Sequence, residues 1–222
     1  MTRHSLSLTH LVQEPTQAST GKPPLLVLLH GVGSNEQDLF ALASYADPRF
    51  FVISARAPLV LGPGAYGWYR VQFTEQGPRH DWAEADAGRA AAAAFITEAV
   101  AAYGLDAQSV YLAGFSQGAI TSLSIALLAP ETIAGAVIMS GRLLGEAREA
   151  MAPPERLRGL PLFVAHGTRD AVLPIAMGRE INQVLSALPV ALTYKEYDMA
   201  HQVSAASLRD ISAWLSRRLD GV

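Results

Sequence analysis

The chain contains no cysteine. Disulfide bonds, zinc sites built from thiolates and a cysteine nucleophile are therefore excluded. The net charge is −3, and no run of basic residues is present that would follow a phosphate backbone, so the sequence predicts no nucleic-acid partner. No H-E-x-x-H or comparable spacing of metal ligands occurs, and we predict no metal site.

Long hydrophobic runs are also missing. The first residues lack the apolar segment of a signal peptide. Residues 25–29, the longest apolar run near the start, fall far short of the roughly 20 residues that a membrane span requires. We therefore predict a cytoplasmic protein without stable membrane insertion. A chain of 222 residues, half of them hydrophobic, suits one domain over residues 1–222.

Short apolar runs alternate with helical segments along the chain. Strands are predicted at residues 6–12, 25–29, 50–54, 109–113, 134–140, 162–165 and 191–197, and helices at residues 85–102, 118–128, 176–188 and 207–219. Asp81 and Glu84 have the spacing of a capping box before the first helix, Gly104 suits its C-terminal cap, and residues 58–69 are predicted to form an irregular loop. Strands separated by helices need crossover connections, which predicts an α/β fold with a mostly parallel central sheet and helices on both faces.

The strongest local motif is Gly114-Phe115-Ser116-Gln117-Gly118, which matches G-x-S-x-G. An apolar strand precedes it and a helix follows, which is the context of a nucleophilic serine on a tight strand-to-helix turn. A glycine-rich turn with a capping serine is the alternative for the bare pattern. With the strand and the helix in place, we interpret Ser116 as a catalytic nucleophile.

A serine nucleophile needs a base, and folds with this motif place an acid and then a histidine later in the chain. His201 lies in the loop between the last predicted strand and the last helix, and it is our candidate base. His166 also follows Ser116, but it ends a strand before a glycine, which is more typical of a buried, hydrogen-bonded histidine; His30 has the same setting. The remaining histidines are expected at the surface: His4, His10 and His80.

Two aspartates are candidates for the acid that orients His201. Asp170 follows the strand before the last one, where the acid is expected, and Pro174 helps to fix the loop behind it. Asp198 is closer to His201 in sequence, and its alternative role is that of a loop-capping carboxylate. We favour Asp170. Asp81 and Glu84 already have a helix-capping role, so we do not interpret them as a catalytic pair.

An oxyanion hole is predicted from two backbone N–H groups. One donor is the residue after the nucleophile, Gln117. The second is expected in the glycine-rich segment that follows the first long apolar strand, and Val32 is our candidate there. An ordinary glycine turn is the alternative.

Six segments, spread in order over most of the chain, resemble the phospholipase/carboxylesterase group of α/β-hydrolases, which includes acyl-protein thioesterases and small bacterial carboxylesterases. They are HGVGSNEQDL (30–39), APLVLGPGAYGWY (57–69), GFSQG (114–118), MSG (139–141), HGTRDAVLP (166–174) and MAHQV (199–203). The resemblance implies an α/β-hydrolase fold without a separate lid domain, hydrolysis of esters or thioesters, and no cofactor. It supports the three catalytic candidates and both N–H donors. One departure is Ala200, where the family usually has glycine before its histidine.

The resemblance also implies that the loop 59–68 and the segment after Ser140 line the acyl side of the site. The candidate pocket residues are Leu61, Trp68, Leu143 and Leu144, with plain core packing as the alternative for each. The expected partner is a small-molecule ester or thioester, and lysophospholipids stay open because one acyl-enzyme chemistry serves all three. A non-catalytic ligand-binding protein on the same fold is the alternative function. Exposed apolar loops leave a homodimer open.

Overall fold

Apolar runs and helical segments form a layered architecture around one large sheet. The computed structural model describes residues 5–18, 21–74 and 77–221. The strands are β1 (His10–Gln13), β2 (Leu25–Leu29), β3 (Phe51–Ala55), β4 (Leu59–Gly62), β5 (Ala65–Gly67), β6 (Val71–Thr74), β7 (Gly77–His80), β8 (Val110–Phe115), β9 (Gly135–Met139), β10 (Pro161–Gly167) and β11 (Ala191–Tyr197). The helices are α1 (Trp82–Tyr103), α2 (Gln117–Leu128), α3 (Gly145–Glu149), α4 (Pro154–Leu157), α5 (Ile175–Ser186) and α6 (Ala205–Leu219), with 3₁₀ turns at Leu39–Tyr45 and Pro130–Thr132.

The central sheet has seven strands in the order β1-β3-β2-β8-β9-β10-β11. Only the edge strand β1 is antiparallel to its neighbour, and each of the other pairs is parallel. The carboxyl ends of the parallel strands therefore lie along one edge of the sheet. Open α/β sheets bind their ligands at that edge.

Helices cover both faces of this sheet, which explains why its inner strands are continuously apolar. Along β2, Leu25, Val27 and Leu29 belong to the core beneath α1, α2 and α5. Leu26 and Leu28 alternate with them and belong to the core beneath α6 and the 3₁₀ turn at Leu39–Tyr45. The expectation of a mostly parallel sheet with helices on both faces is confirmed.

The predicted elements of the central sheet are present, two of them with identical bounds, β2 and β11. The predicted edge strand at 6–12 is shorter and shifted to β1. Asp81 caps α1 by accepting from the Glu84 N–H, and Gly104 ends the helix at φ 64°. The capping box is nevertheless incomplete, because the Glu84 carboxylate binds the backbone N–H and the guanidinium of Arg70 instead.

The prediction of an irregular loop at 58–69 was wrong. This segment contains the antiparallel hairpin β4–β5, and a second hairpin, β6–β7, follows it. Neither hairpin joins the central sheet. Within the described ranges no separate lid domain is present, and none of the helices there is both long and apolar enough to cross a membrane.

Helix α1 packs closely against the segment that leaves β5. A Cβ atom on Gly88 would overlap the carbonyl oxygen of Trp68. Trp68 and the next residue, Tyr69, are both buried. The close approach of α1 therefore fixes the position of this segment, which lies beside the carboxyl ends of the strands.

We expect Gly88→Ala to lower the free energy of unfolding by about 1–3 kcal/mol, because overpacking outweighs the better helix propensity of alanine. Urea unfolding measures this loss: the midpoint should fall, while the slope of the free energy of unfolding against urea concentration stays unchanged. The matched control is Gly145→Ala, where a Cβ atom meets nothing within 4 Å. Equal stabilities of the two variants would contradict the tight contact.

Candidate active site

Ser116 lies on the sharp turn between β8 and α2. It is one of two non-glycine residues with positive φ in the described ranges, at φ 54° and ψ −116°. A Cβ atom on Gly118 would overlap the carbonyl oxygen of Leu29, and one on Gly114 would overlap that of Gly118. Both glycines of the motif are thus required by close backbone approach, as in a nucleophile elbow.

The structure brings Ser116, His201 and Asp170 together. The His201 Nε2 lies 3.0 Å from the Ser116 Oγ, and its Nδ1 lies 2.7 Å from the Asp170 Oδ2. A carboxylate oxygen only accepts hydrogen bonds, so the proton of a neutral His201 lies on Nδ1. Its Nε2 is then the acceptor for the serine hydroxyl.

Asp170 is held firmly in the loop after β10. Its side chain is fully buried, and its Oδ1 accepts from the backbone N–H groups of Val172 at 2.9 Å and Leu173 at 2.8 Å. The two oxygens of the carboxylate therefore have different partners. This leaves Oδ2 for the imidazole.

The rival acid, Asp198, lies at the surface. Its side chain is 82% exposed and pairs with Arg169 Nε at 2.7 Å. No hydrogen bond or ion pair joins it to His201 among the described residues. The geometry thus favours Asp170 as the partner of His201.

The other histidines separate into buried and partly exposed ones. His166 is fully buried and donates from Nε2 to the Leu173 carbonyl at 2.7 Å, which confirms the prediction of a buried, hydrogen-bonded side chain. The prediction of surface positions was wrong for His10 and His80. Both are only partly exposed and are hydrogen-bonded, and His4 lies outside the described residues.

His30 fixes the loop that carries Val32. Its Nε2 accepts from the Ala57 N–H at 3.0 Å, so its Nδ1 donates to the Gly31 carbonyl at 2.7 Å. Burial lowers the pKa of His30, which favours this neutral form. In a trans peptide the N–H of Val32 points away from the Gly31 oxygen. His30 therefore sets the direction of the Val32 N–H.

This loop lies directly beside the candidate nucleophile. A Cβ atom on Gly31 would be 3.3 Å from the Ser116 Cβ. Val32 and Gln117 both line the cleft that contains Ser116 and His201. Gln117 is the first residue of α2, where the backbone N–H has no partner within the helix.

The Gln117 side chain has a structural role that the sequence did not reveal. It accepts from the Trp68 N–H at 2.8 Å and donates to the Tyr69 carbonyl at 2.6 Å. The Trp68 indole in turn donates to the His30 carbonyl at 3.0 Å. The only available signal was a long polar side chain at the first position of a helix whose other polar residues are short.

The cleft has a volume of about 230 Å³. Its walls are largely apolar and come from the loops after β2, β9, β10 and β11, from the turn between β8 and α2 with the start of α2, from the segment after β5 and from the hairpin β6–β7. They include Val32, Tyr69, Val71, Phe115, Ile120, Arg142, Val172 and Leu173.

The four predicted pocket residues are not brought to this cleft. Trp68, Leu143 and Leu144 are buried in the core instead, and Leu61 lies on β4 with 40% of its surface exposed. For the three buried residues the alternative of core packing fits their position. Arg142 and Tyr69 line the cleft but were not among the candidates. Arg142 belongs to the segment after Ser140 that the resemblance implies for the acyl side, and Tyr69 directly follows the loop 59–68.

Comparison with known proteins agrees with this architecture. The phospholipase/carboxylesterase family matches residues 10–219. The chain is 30% identical over 121 residues to carboxylesterase SOBER1 of Arabidopsis thaliana, a match that spans 54% of this chain and 53% of that protein. It is 28% identical over 222 residues to a probable inactive carboxylesterase of Oryza sativa subsp. japonica, covering 93% of this chain and 89% of the relative.

A solved structure, the Bacillus cereus carboxylesterase, superposes with a TM-score of 0.80 at 26% identity, covering 95% of this chain and 94% of that one. The resemblance seen in the sequence motifs is thereby confirmed over nearly the whole chain. The chain belongs to the phospholipase/carboxylesterase family and has the α/β-hydrolase fold.

Proposed function

We propose that this protein is a serine hydrolase that cleaves carboxylic esters through an acyl-enzyme on Ser116. The observation that carries the proposal is the continuous hydrogen-bonded chain from Asp170 through His201 to Ser116. In this assignment His201 is the general base and then the general acid, and Asp170 orients its ring.

In the first half-reaction the Ser116 Oγ attacks the ester carbonyl carbon while its proton passes to His201 Nε2. The tetrahedral intermediate collapses when the imidazolium returns this proton to the leaving alcohol, and the acyl-enzyme remains. A water molecule then attacks the acyl carbon while its proton passes to His201 Nε2. The second tetrahedral intermediate collapses when the imidazolium returns this proton to the Ser116 Oγ, which releases the acid and the free serine. A thioester follows the same steps with a thiol as leaving group.

Charge on the carbonyl oxygen would be stabilised by the N–H groups of Val32 and Gln117. The fixed direction of the Val32 peptide and the free first-turn N–H of Gln117 support this assignment. Such preorganised donors lower the barrier because they need no rearrangement during the reaction. Loss of one typically costs about 10²–10³-fold in kcat.

The cleft supports small substrates. Pockets for drug-sized ligands are typically about 300–1,000 Å³, and this one measures about 230 Å³. Within the described ranges no lid domain covers it. Soluble esters of modest length therefore fit the site better than long-chain lipids.

A non-catalytic binding protein is the second candidate, since one relative carries the name of a probable inactive carboxylesterase. The hydrogen-bonded series of a serine, a histidine and an aspartate supports the enzyme. Covalent labelling with a fluorophosphonate distinguishes the two candidates. Stoichiometric labelling that Ser116→Ala abolishes supports the enzyme, and a wild type that resists labelling supports the binding protein.

We expect Ser116→Ala to lower kcat on para-nitrophenyl butanoate by about 10⁴–10⁶-fold, because the nucleophile is lost. Steady-state kinetics on both proteins measures this. An unchanged thermal unfolding midpoint serves as the folding control. Near-wild-type turnover in the variant would overturn the assignment of Ser116.

We expect Asp170→Asn to lower kcat by about 10⁴-fold. The asparagine oxygen would keep the two N–H donors of Val172 and Leu173, so its NH₂ group would face His201 Nδ1. That nitrogen must then accept, which places the ring proton on Nε2 and leaves no acceptor for the serine.

Asp198→Asn is the matched control for this variant. It removes the same charge from an exposed residue, and we expect its kcat to stay within about threefold of the wild type. A larger loss in Asp198→Asn than in Asp170→Asn would show that the acid had been assigned wrongly.

Across para-nitrophenyl esters from acetate to palmitate, we expect kcat/KM to peak at short chains of about four to six carbons, given the size of the cleft. The Ser116→Ala rate is subtracted at every length as background. A serine-dependent maximum at long chains would contradict the small-substrate proposal and favour a thioesterase or lysophospholipase.

A further inference from the structure

Arg142 is a charged residue in the wall of an otherwise largely apolar cleft. It follows β9, whose carboxyl end lies between those of β8 and β10. Ser140, two residues earlier, is the second non-glycine residue with positive φ in the described ranges, at 50°. Strained backbone of this kind costs about 1–3 kcal/mol and is concentrated at functional sites. Here it turns the chain at the point where Arg142 joins the cleft.

The guanidinium of Arg142 is held by a neutral partner. Its Nη2 lies 3.1 Å from His80 Nδ1. Arginine only donates, so Nδ1 accepts and the imidazole proton lies on Nε2, which is 3.4 Å from Glu146 Oε2. Glu146 thus contacts the histidine, and Arg142 forms no ion pair with a carboxylate among the described residues.

Of the acidic groups among the described residues, one contacts His80 and one lines the same cleft, and neither pairs with Arg142. Glu146 is 42% exposed behind His80, and Asp38 lines the cleft but is exposed. Water and salt screen exposed charges strongly. The positive charge of Arg142 is therefore available to a ligand in the cleft.

Tyr69 supplies a second unused donor in the same wall. The residue is 1% exposed, yet its hydroxyl has no hydrogen-bond partner among the described residues. Burial raises the pKa of Tyr69, while the nearby charge of Arg142 acts in the opposite direction. The phenol therefore stays protonated and able to donate. Buried polar groups without a partner are uncommon and call for a ligand or water to explain them.

We propose that Arg142 and Tyr69 form a recognition site for a carboxylate group of the substrate, so that this protein prefers esters that carry a second, anionic group. This inference rests on the proposed function. A guanidinium presents paired N–H donors that match a carboxylate, and the tyrosine hydroxyl adds a third. Both residues line the cleft that contains Ser116.

Two pairs of substrates locate the carboxylate. For the acyl portion, mono-para-nitrophenyl adipate is compared with para-nitrophenyl hexanoate, which has the same chain length and leaving group. For the alcohol portion, para-carboxyphenyl butanoate is compared with para-carbamoylphenyl butanoate. In each pair the measured quantity is the ratio of kcat/KM for the anionic ester to that for the neutral one.

One of the two pairs carries its carboxylate at the proposed site. For that pair, we expect Arg142→Gln to lower the ratio of kcat/KM by about tenfold or more, and Tyr69→Phe by about threefold or more. Arg142→Lys keeps the charge without the planar fork and should fall between the wild type and Arg142→Gln. Arg148→Gln is the matched control, because Arg148 is exposed on α3 outside the cleft and its loss changes net charge equally. Ratios in Arg142→Gln equal to those in Arg148→Gln for both pairs would overturn the proposal.

A binding measurement separates this proposal from the proposed function. Calorimetry with adipate on Ser116→Ala protein, with and without Arg142→Gln, needs no turnover. An Arg142-dependent affinity supports the carboxylate site even if Ser116 proves not to be the nucleophile. If turnover depends on Ser116 while neither the ratios nor adipate binding depends on Arg142, the esterase stands and the carboxylate site is refuted.

Discussion

The turn between β8 and α2 has no space for a side chain at Gly114 or Gly118, two residues before and two residues after Ser116. Gly118 lies against the Leu29 carbonyl at the end of β2, and Gly114 lies against Gly118 itself. This contact forces Ser116 into its positive-φ conformation and brings the start of α2 to the end of β2. Because the loop with Val32 begins one residue after β2, the same contact places that loop beside the serine. The relative position of the candidate nucleophile and both proposed N–H donors thus depends on two glycines.

The parallel register brings the remaining groups to this turn. Asp170 and His201 follow β10 and β11, which are paired from Pro161 opposite Ala191 to Gly167 opposite Tyr197. Gly167 has no space for a Cβ atom, because the carbonyl oxygen of Met199 would overlap it. The loop that carries the acid and the loop that carries the histidine are therefore packed together, and the 2.7 Å contact between them needs no rearrangement.

Most of the architecture could be predicted from the sequence because the inner strands are buried on both faces. Every residue in 25–29 is apolar, so no face of this strand suits solvent, and the predicted bounds are those of β2. The hairpins were missed for the opposite reason. In β4, Val60 is 70% exposed and no residue is buried, so apolar periodicity carries no information about it.

The candidate site also has a part that could be predicted from the sequence and a part that could not. Ser116, Asp170 and His201 could be placed because each follows a recognisable strand, and strand ends converge. The pocket could not be placed, because sequence does not distinguish a leucine that faces a cleft from one that faces the core. Leu143 and Leu144 are examples. They follow Arg142 directly, yet they are buried in the core, whereas the arginine lines the cleft.

Gln117 connects the candidate catalytic residues with the wall of the cleft that is proposed to bind the substrate. Its backbone belongs to the turn that carries Ser116, and its side chain binds both sides of the Trp68–Tyr69 segment. The Trp68 indole donates to the carbonyl of His30, the residue that directs the Val32 peptide. The Trp68 carbonyl packs against α1 at Gly88. Tyr69 is fixed by the same contacts. Preorganised donors are effective only when their supporting shell is rigid. The buried side-chain amide of Gln117 thus fixes the wall that would recognise the substrate relative to the residues that would react with the substrate.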